Sequence, residues 1–387
     1  MKNNPNEILV ALSRQIGREV VASLGDDNVE SIFVTGSVAR GEAAGYVAGG
    51  FVEVYSDVDV AVVVDDAVDL DECRMVAKRI ASAHERQTDS YRVFPVPDVG
   101  VFTHDDLRAQ RARPGTVDMD RARQVIFGSD RAPEGANGRS PSGIDRSEAL
   151  YLLEHRLLES REVCSGTGGE GHERYAHYVT LKNGLDAVSA ILIGLGKYEP
   201  SREERLRVFW REETQRAAAR LLSPGAVETI RACEAAMRDL QGALVPGADD
   251  FAARRLEVDR LLLRLWKSVS DDAAGRAGEG WYDAIRRRTA GGTAHRRVRE
   301  LMVLARRRSV SRPQVLLGAR RLARFSPVDT LRLIGLIESL LAVCADEVTD
   351  ARIEREFLGM VDGLTRRFGF REGSLFRRGR EMYRAIT

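Results

Sequence analysis

The apolar positions of this 387-residue chain change period part-way along it. Up to about residue 128, short strand-like apolar blocks alternate with helical ones. Residues 5–24 place Ile8, Leu12, Ile16 and Val20 at helical spacing, and Gly25 offers a stop. Apolar blocks at about 31–35 and 57–64 predict strands. Residues 70–87 predict a helix with Met75, Val76, Ile80 and Ala83 on its buried side. The run Arg92–Thr103 predicts a strand that Pro95 and Pro97 confine to an edge or a bulge. Thr103, followed by Asp105 and Asp106, starts a helix over about 104–112, and 125–128 predicts a last short strand. This order is mixed α/β.

Ser129–Gly143 is rich in Gly, Pro and Ser, lacks any period, and reads as a linker. Beyond it strand signals nearly vanish. Leu150, Leu153 and Leu157 stripe one helix; Leu181, Leu185, Val188 and Leu192 stripe a second that ends at Gly194 or Gly196. Further helices are predicted over 203–221, 225–243, 250–269, 295–308, 313–324, 328–344 and 349–367. The expected architecture is an α/β domain, residues 1–140, followed by an all-α domain, residues 141–387, with 141–270 and 271–387 as candidate subdomains. A chain of this length can bury both cores.

Composition narrows the function classes. The formal net charge is +1, so no whole-chain polyelectrolyte argument applies. Cys73, Cys164, Cys233 and Cys344 are far apart and read as reduced thiols, not as a disulfide frame or zinc site. His84, His104, His155, His172, His177 and His295 have no metal-ligand spacing. There is no charged-then-apolar leader, and no apolar run approaches the roughly 20 residues of a membrane helix. The expectation is a soluble, cytoplasmic protein. No phosphate-loop motif, dinucleotide fingerprint or nucleophile triad is present.

Candidate chemistry concentrates in Ser31–Val64, SIFVTGSVARGEAAGYVAGGFVEVYSDVDVAVVV. An apolar strand runs into Gly36-Ser37 and Arg40-Gly41-Glu42, and Asp57 and Asp59 follow two residues apart. Alternation along a strand would put both carboxylates on one face, about 6–7 Å apart. Aspartate is depleted in strands, and a break with propensity at a strand end points to function. Two acids facing a Gly-Ser turn suit Mg²⁺ held between carboxylates and the phosphates of a nucleoside triphosphate. Glycine lets backbone N–H groups approach phosphate oxygens, and the serine hydroxyl adds a donor.

This succession of apolar strand, Gly-Ser and acid-x-acid resembles the nucleotidyltransferase superfamily of the polymerase-β type. GSVARGE followed by SDVDVAVVV is similar to its small-molecule and minimal branches. The resemblance spans about residues 28–130. It implies a polymerase-β-like mixed sheet with flanking helices. The implied reaction moves a nucleoside monophosphate from an NTP to an acceptor and releases pyrophosphate. It also implies two Mg²⁺ ions on Asp57 and Asp59, with Asp98 as third ligand and as base toward the acceptor. Gly36 and Ser37 would hold the triphosphate. Arg40 either joins them or pairs with Glu42. Lys182 lies opposite the leucine stripe of its helix, with Tyr175, Tyr178 and Asp186 on its own face. It either reaches the triphosphate across an interdomain cleft or stands exposed. Tyr178 either stacks on the base or packs between domains.

Two features lie outside the compact form of that pattern. Ala43–Tyr55 separates the turn from the acid pair and reads as a small flexible hairpin or flap. Residues 286–324 carry thirteen arginines against one acid, Glu300, and either contact RNA phosphates or pair with acidic patches. The expected acceptor is a small molecule. The alternatives are nucleotide addition to tRNA or another RNA, and a non-catalytic, antitoxin-like binding protein of the same fold. The intact acid pair weighs against the last. Donor base and oligomeric state have no sequence signature.

Overall fold

The computed structural model describes residues 4–84, 86–129, 139–164, 170–245, 251–275, 280–290 and Leu336. The first helix, α1 (Pro5–Leu24), starts where Asn4 accepts a hydrogen bond from the Asn6 N–H and Pro5 fixes the first turn. Its apolar stripe, Ile8, Leu12, Ile16 and Val20, is buried as expected. There follow β1 (Val29–Val34), the single turn α2 (Gly36–Ala39), β2 (Gly45–Ala48), β3 (Phe51–Val54), β4 (Asp59–Val64) and α3 (Leu70–Ala83). Then come β5 (Tyr91–Val93), β6 (Asp98–Phe102), α4 (His104–Ala109), α5 (Pro114–Arg121) and β7 (Gln124–Gly128).

Four strands form one sheet in the order β6-β4-β1-β7. In it β1 runs antiparallel to β4 and β7, and β4 runs parallel to β6. A smaller sheet, β2-β3-β5, stands beside it. The Val-rich β1 and β4 pack against α1 and α3 to make one core, with Ile32, Val34, Val60 and Val62 at most 3% exposed. The Arg92–Thr103 run divides: Phe94 N–H still bonds to Val54 O in the small sheet, and Asp98 N–H bonds to Val58 in the large one. Pro95 and Pro97 occupy the crossing, where their missing donors cost no ladder bond. The resulting β6 is an edge strand, as the prolines required.

The insertion 43–55 is a hairpin, with Gly49 at φ 57° and Gly50 at φ 85° in its two-residue turn. Positive φ at both positions is the demand of the tight turn that matches strand twist. The helical region contacts it at three places. Arg174 donates both Nε and Nη2 to Glu53, at 2.8 and 2.7 Å, and its guanidinium lies 4.7 Å from the Tyr46 ring centroid. Gln241 accepts from Val47 N–H and donates to Gly45 O.

Helices then take over: α6 (Ser147–Cys164), α7 (Glu170–Gly194), α8 (Arg202–Phe209), α9 (Glu212–Ala218), α10 (Pro224–Arg238), α11 (Leu240–Ala243), α12 (Phe251–Ala274) and α13 (Trp281–Ala290). They wrap α7, against which α6, α10 and α12 pack. Leu153, Leu157, Leu181, Leu192, Leu262 and Trp266 are fully buried there, and Ala44, Tyr55 and Val117 join this core from the sheet side. A mixed sheet with flanking helices followed by a helical region is therefore the architecture. No described helix is long and apolar enough to cross a membrane.

Several expectations shift. In α3 the buried side is Cys73, Ala77, Ile80 and Ala81, while Met75 is 68% exposed. The helical period fits either phase, and packing against β6 and α1 selects this one. The pattern missed α5, a short helix with Pro114 in its first turn. Residues 203–221 break into α8 and α9, and 225–243 into α10 and α11. The helices expected over 295–308, 313–324, 328–344 and 349–367, most of the linker, and the subdomain 271–387 beyond residue 290 lie outside the described residues, Leu336 apart. Of the arginine-rich segment, Arg288 is held bidentate by Glu154, at 2.7 and 2.9 Å, within the helical core.

Candidate active site

Asp59 is the first residue of β4 and Asp98 the first of β6, and the parallel register sets them opposite each other. Neighbouring strands lie about 4.8 Å apart, so the two carboxylates share one rim of the sheet. Thr35, at the end of β1, donates its N–H to the Asp59 carbonyl at 2.9 Å and aims the next residue at the same rim. That residue is Gly36, at φ 65°, where a Cβ would fall within contact distance of Asp59 Oδ2. Only glycine combines this backbone with this approach. Gly36→Ala is expected to lower stability by about 1–2 kcal/mol through the left-handed backbone alone. It should also displace the Asp59 carboxylate. Urea midpoints of the two proteins measure the first effect; an unchanged midpoint would mean the turn relaxes freely.

Asp57 departs from expectation. It precedes β4 by two residues, so strand alternation does not set its direction. Residues 55–58 are the passage between sheets: Tyr55 N–H bonds to Ala44 O, and Ser56 Oγ accepts from Ala44 N–H at 2.8 Å. The Asp57 carboxylate turns instead toward the helical region, where Lys182 Nζ donates to its Oδ2 at 3.2 Å.

Lys182 is not on a solvated face. Between Ala176 and Ile193 every residue of α7 is buried except Lys182 and Asp186, which are half-buried one turn apart. Both look toward α6. Lys182 Nζ lies 3.7 Å from Glu159 Oε1, Arg156 bonds Glu159 at 2.6 Å, and Arg156 Nε lies 2.6 Å from Asp186 Oδ2. Burial alone would push the Glu159 carboxyl up, but Lys182 and Arg156 hold it down to about 2. The Lys182 ammonium is itself held well above its ordinary range: burial opposes the charge, and Asp57 and Glu159 outweigh it.

Arg40 is committed to carboxylates. Its Nε donates to Glu42 Oε2 at 2.9 Å and its Nη1 to Asp118 Oδ2 at 3.1 Å. The ion pair with Glu42, one of its two sequence readings, is present. Tyr178 is 5% exposed and packs ring on ring with Tyr55, centroids 5.5 Å apart at 28°. Phe94 and Tyr175 complete that aromatic cluster, so Tyr178 is a boundary packing residue. Ser37 follows Gly36 on α2, half-buried.

No family model and no curated protein matches the sequence. Among solved structures, spectinomycin adenyltransferase AAD(9) from Enterococcus faecialis, crystallised with ATP and spectinomycin, matches at 12% identity. The match covers 65% of this chain and 97% of that one, with a TM-score of 0.34. A likeness that slight carries neither substrate nor mechanism, and the site's own residues have to do so.

Their electrostatics favour a cation. Asp59 is raised to about 7, first by burial and then by the charges of Asp57 and Asp98, with Lys182 and Arg40 opposing. Asp98 is raised as well: desolvation at the rim leads, Lys78 opposes it, and Asp57 adds to it. Among the described residues no three His, Cys, Asp or Glu side chains converge as a ready metal cage. Mg²⁺ does not require one. It is commonly held by one or two carboxylates completed by substrate phosphates and water, and acid oxygens crowded at one rim fit that use.

The sequence did not single out Arg156, Glu159 or Asp118. The first two form an acid–base pair three residues apart inside a leucine-striped helix, a signal that could have been read. Asp118 meets Arg40 from 78 residues away and has no local signature.

Proposed function

We propose that the protein is a nucleotidyltransferase that moves a nucleoside monophosphate from an NTP to a hydroxyl or phosphate of a small-molecule acceptor. The supporting observation is the pairing of Asp59 with Asp98 across one sheet rim, with Gly36 of the Gly-Ser turn against the Asp59 carboxylate. The site would lie between an α/β domain of about residues 1–140 and the helical domain after it. Asp57, Asp59 and Asp98 would hold Mg²⁺, which when bound neutralises phosphate charge.

The chain's own groups then divide the work. Gly36 and Ser37 orient the triphosphate, and Lys182 exchanges its contact with Asp57 for phosphate oxygens. An acceptor hydroxyl oxygen attacks the α-phosphorus and its proton passes to the Asp98 carboxylate. The bond from the α-phosphorus to the bridging oxygen breaks, and pyrophosphate leaves with that oxygen. Positioning and charge placement supply most of such catalysis.

The test is calorimetric titration with ATP, GTP, CTP and UTP, each with Mg²⁺ and with EDTA. Binding of at least one NTP in the Mg²⁺ arm alone is expected, followed by pyrophosphate release when acceptors are screened against it. If none of the four binds in either arm, the transferase reading fails.

A further inference from the structure

Behind the Gly-Ser turn lies a second cluster of charges that the proposed chemistry does not use. Asp118, on α5, accepts from Arg40 Nη1 at 3.1 Å through Oδ2 and from the Tyr198 hydroxyl at 3.0 Å through Oδ1. Tyr198 in turn accepts from Arg205 Nη1 at 3.1 Å, and the same nitrogen donates to Glu199 O and Pro200 O at 2.9 and 2.7 Å. Glu42 closes the other side. Its Oε2 takes Arg40 Nε, and its Oε1 takes the Ser201 hydroxyl at 3.1 Å and the Arg202 N–H at 3.0 Å. Arg40 and the carboxylates are mostly buried, their side chains 12%, 17% and 14% exposed for Arg40, Glu42 and Asp118.

We infer that Asp118 is a positioning residue: with Glu42 it fixes the Arg40 guanidinium, and through it the turn from Gly36 to Glu42, and by Tyr198 it ties that turn to the segment leading into α8. The inference rests on the proposed nucleotidyl transfer, since the turn it holds is the one assigned to the triphosphate. The geometry is specific to Asp118. Asp120, two residues on, faces away and holds Arg139 bidentate, at 2.7 and 2.8 Å. Asp118 is raised to about 6, chiefly by burial with Glu42 adding, while Arg205, Arg40 and Tyr198 oppose. A carboxylate kept between two arginines against that desolvation is a costly way to decorate a surface. The segment it reaches, Tyr198–Arg202, links α7 to α8, so the turn and the lysine-bearing helix are held in one frame.

The test compares Asp118→Asn and Tyr198→Phe with a structural control, Glu154→Gln, which breaks a buried ion pair between α6 and α13. Each is measured for melting temperature and, well below it, for the dissociation constant of the NTP that the wild type binds with Mg²⁺. Asp118→Asn is expected to weaken NTP binding about tenfold and Tyr198→Phe less. Glu154→Gln should lower the melting temperature and leave the dissociation constant alone. If Asp118→Asn and Tyr198→Phe bind NTP as the wild type does, the inference is overturned while the transferase reading stands. If Glu154→Gln weakens binding as much as they do, the effect is general destabilisation and the inference is again overturned. A wild type that binds no NTP removes both.

Discussion

Asp59→Asn is expected to stabilise the metal-free protein and to abolish Mg²⁺-dependent NTP binding. The carboxylate stands half-buried at the rim beside two other acids, and desolvation and these charges raise it from 3.8 to about 7. For an acid, a folded-state value above the unfolded one means that ionisation is penalised in the native state. That penalty is complete above about pH 7 and disappears as pH falls toward 4. At pH 8 the neutral amide should therefore be more stable by about 2–4 kcal/mol, and at pH 4 the two proteins should melt together. Thermal melts at pH 8, 6 and 4 in EDTA read this directly. Added Mg²⁺ and NTP should raise the wild-type melting temperature and leave the variant unmoved, because only a ligand of the native state stabilises it. A variant less stable than the wild type at pH 8 would contradict the electrostatic account. Such opposition of stability and function is expected where like charges are gathered for a ligand.

The parts of this site that were legible in the sequence are those that local rules determine. Apolar β1 ending at Val34, the glycine two residues after it, the acid opening β4 and the Gly49-Gly50 hairpin are each fixed by neighbours within a few residues. Asp98 was singled out only through the resemblance, and the structure sets it at the start of edge strand β6, directly after Pro95 and Pro97. Asp57 was misplaced. Alternation holds only inside a strand, and residues 55–58 are bound by Ala44 into a crossing between sheets.

Long-range ion pairs were not legible. Glu53 finds Arg174 across 121 residues, Lys182 finds Asp57 across 125, and Arg40 finds Asp118 across 78. Nothing in composition or period selects those partners from 59 basic and 58 acidic residues. The α7 helix shows the same limit from the other side. Being surrounded by helices, it is apolar on nearly every face, so the leucine stripe said little about what lay opposite. The exposed reading of Lys182 stayed open in the sequence because its burial is created by α6, a separate helix.

Lys182→Met is expected to lower stability by about 2–3 kcal/mol at pH 7, less than a fully buried pair would, because Asp57 is half-exposed. The ammonium lies between Asp57 and Glu159. Methionine keeps the stem's volume and removes only the charge, which leaves Glu159 with Arg156 as its near cation. In the wild type Glu159 is held at about 2 against an ordinary 4.5. A depressed acid contributes stability above its unfolded value, and that contribution is lost as pH falls toward the folded one. The variant retains less of it, so its deficit should be complete above about pH 5 and narrow steadily between pH 4.5 and pH 2. Urea melts at pH 7, 5 and 3 measure the deficit. One that stays constant across those pH values would show that packing, and not charge, holds Lys182 in place. Lys182→Arg supplies the complementary arm. It keeps the cation and should recover part of the stability, while the flat guanidinium, unable to reproduce a point contact to both acids, should leave the recovery incomplete. Recovery by arginine together with a pH-dependent loss in methionine would identify the charge on α7 as what holds the sheet rim and the helical region at their present separation.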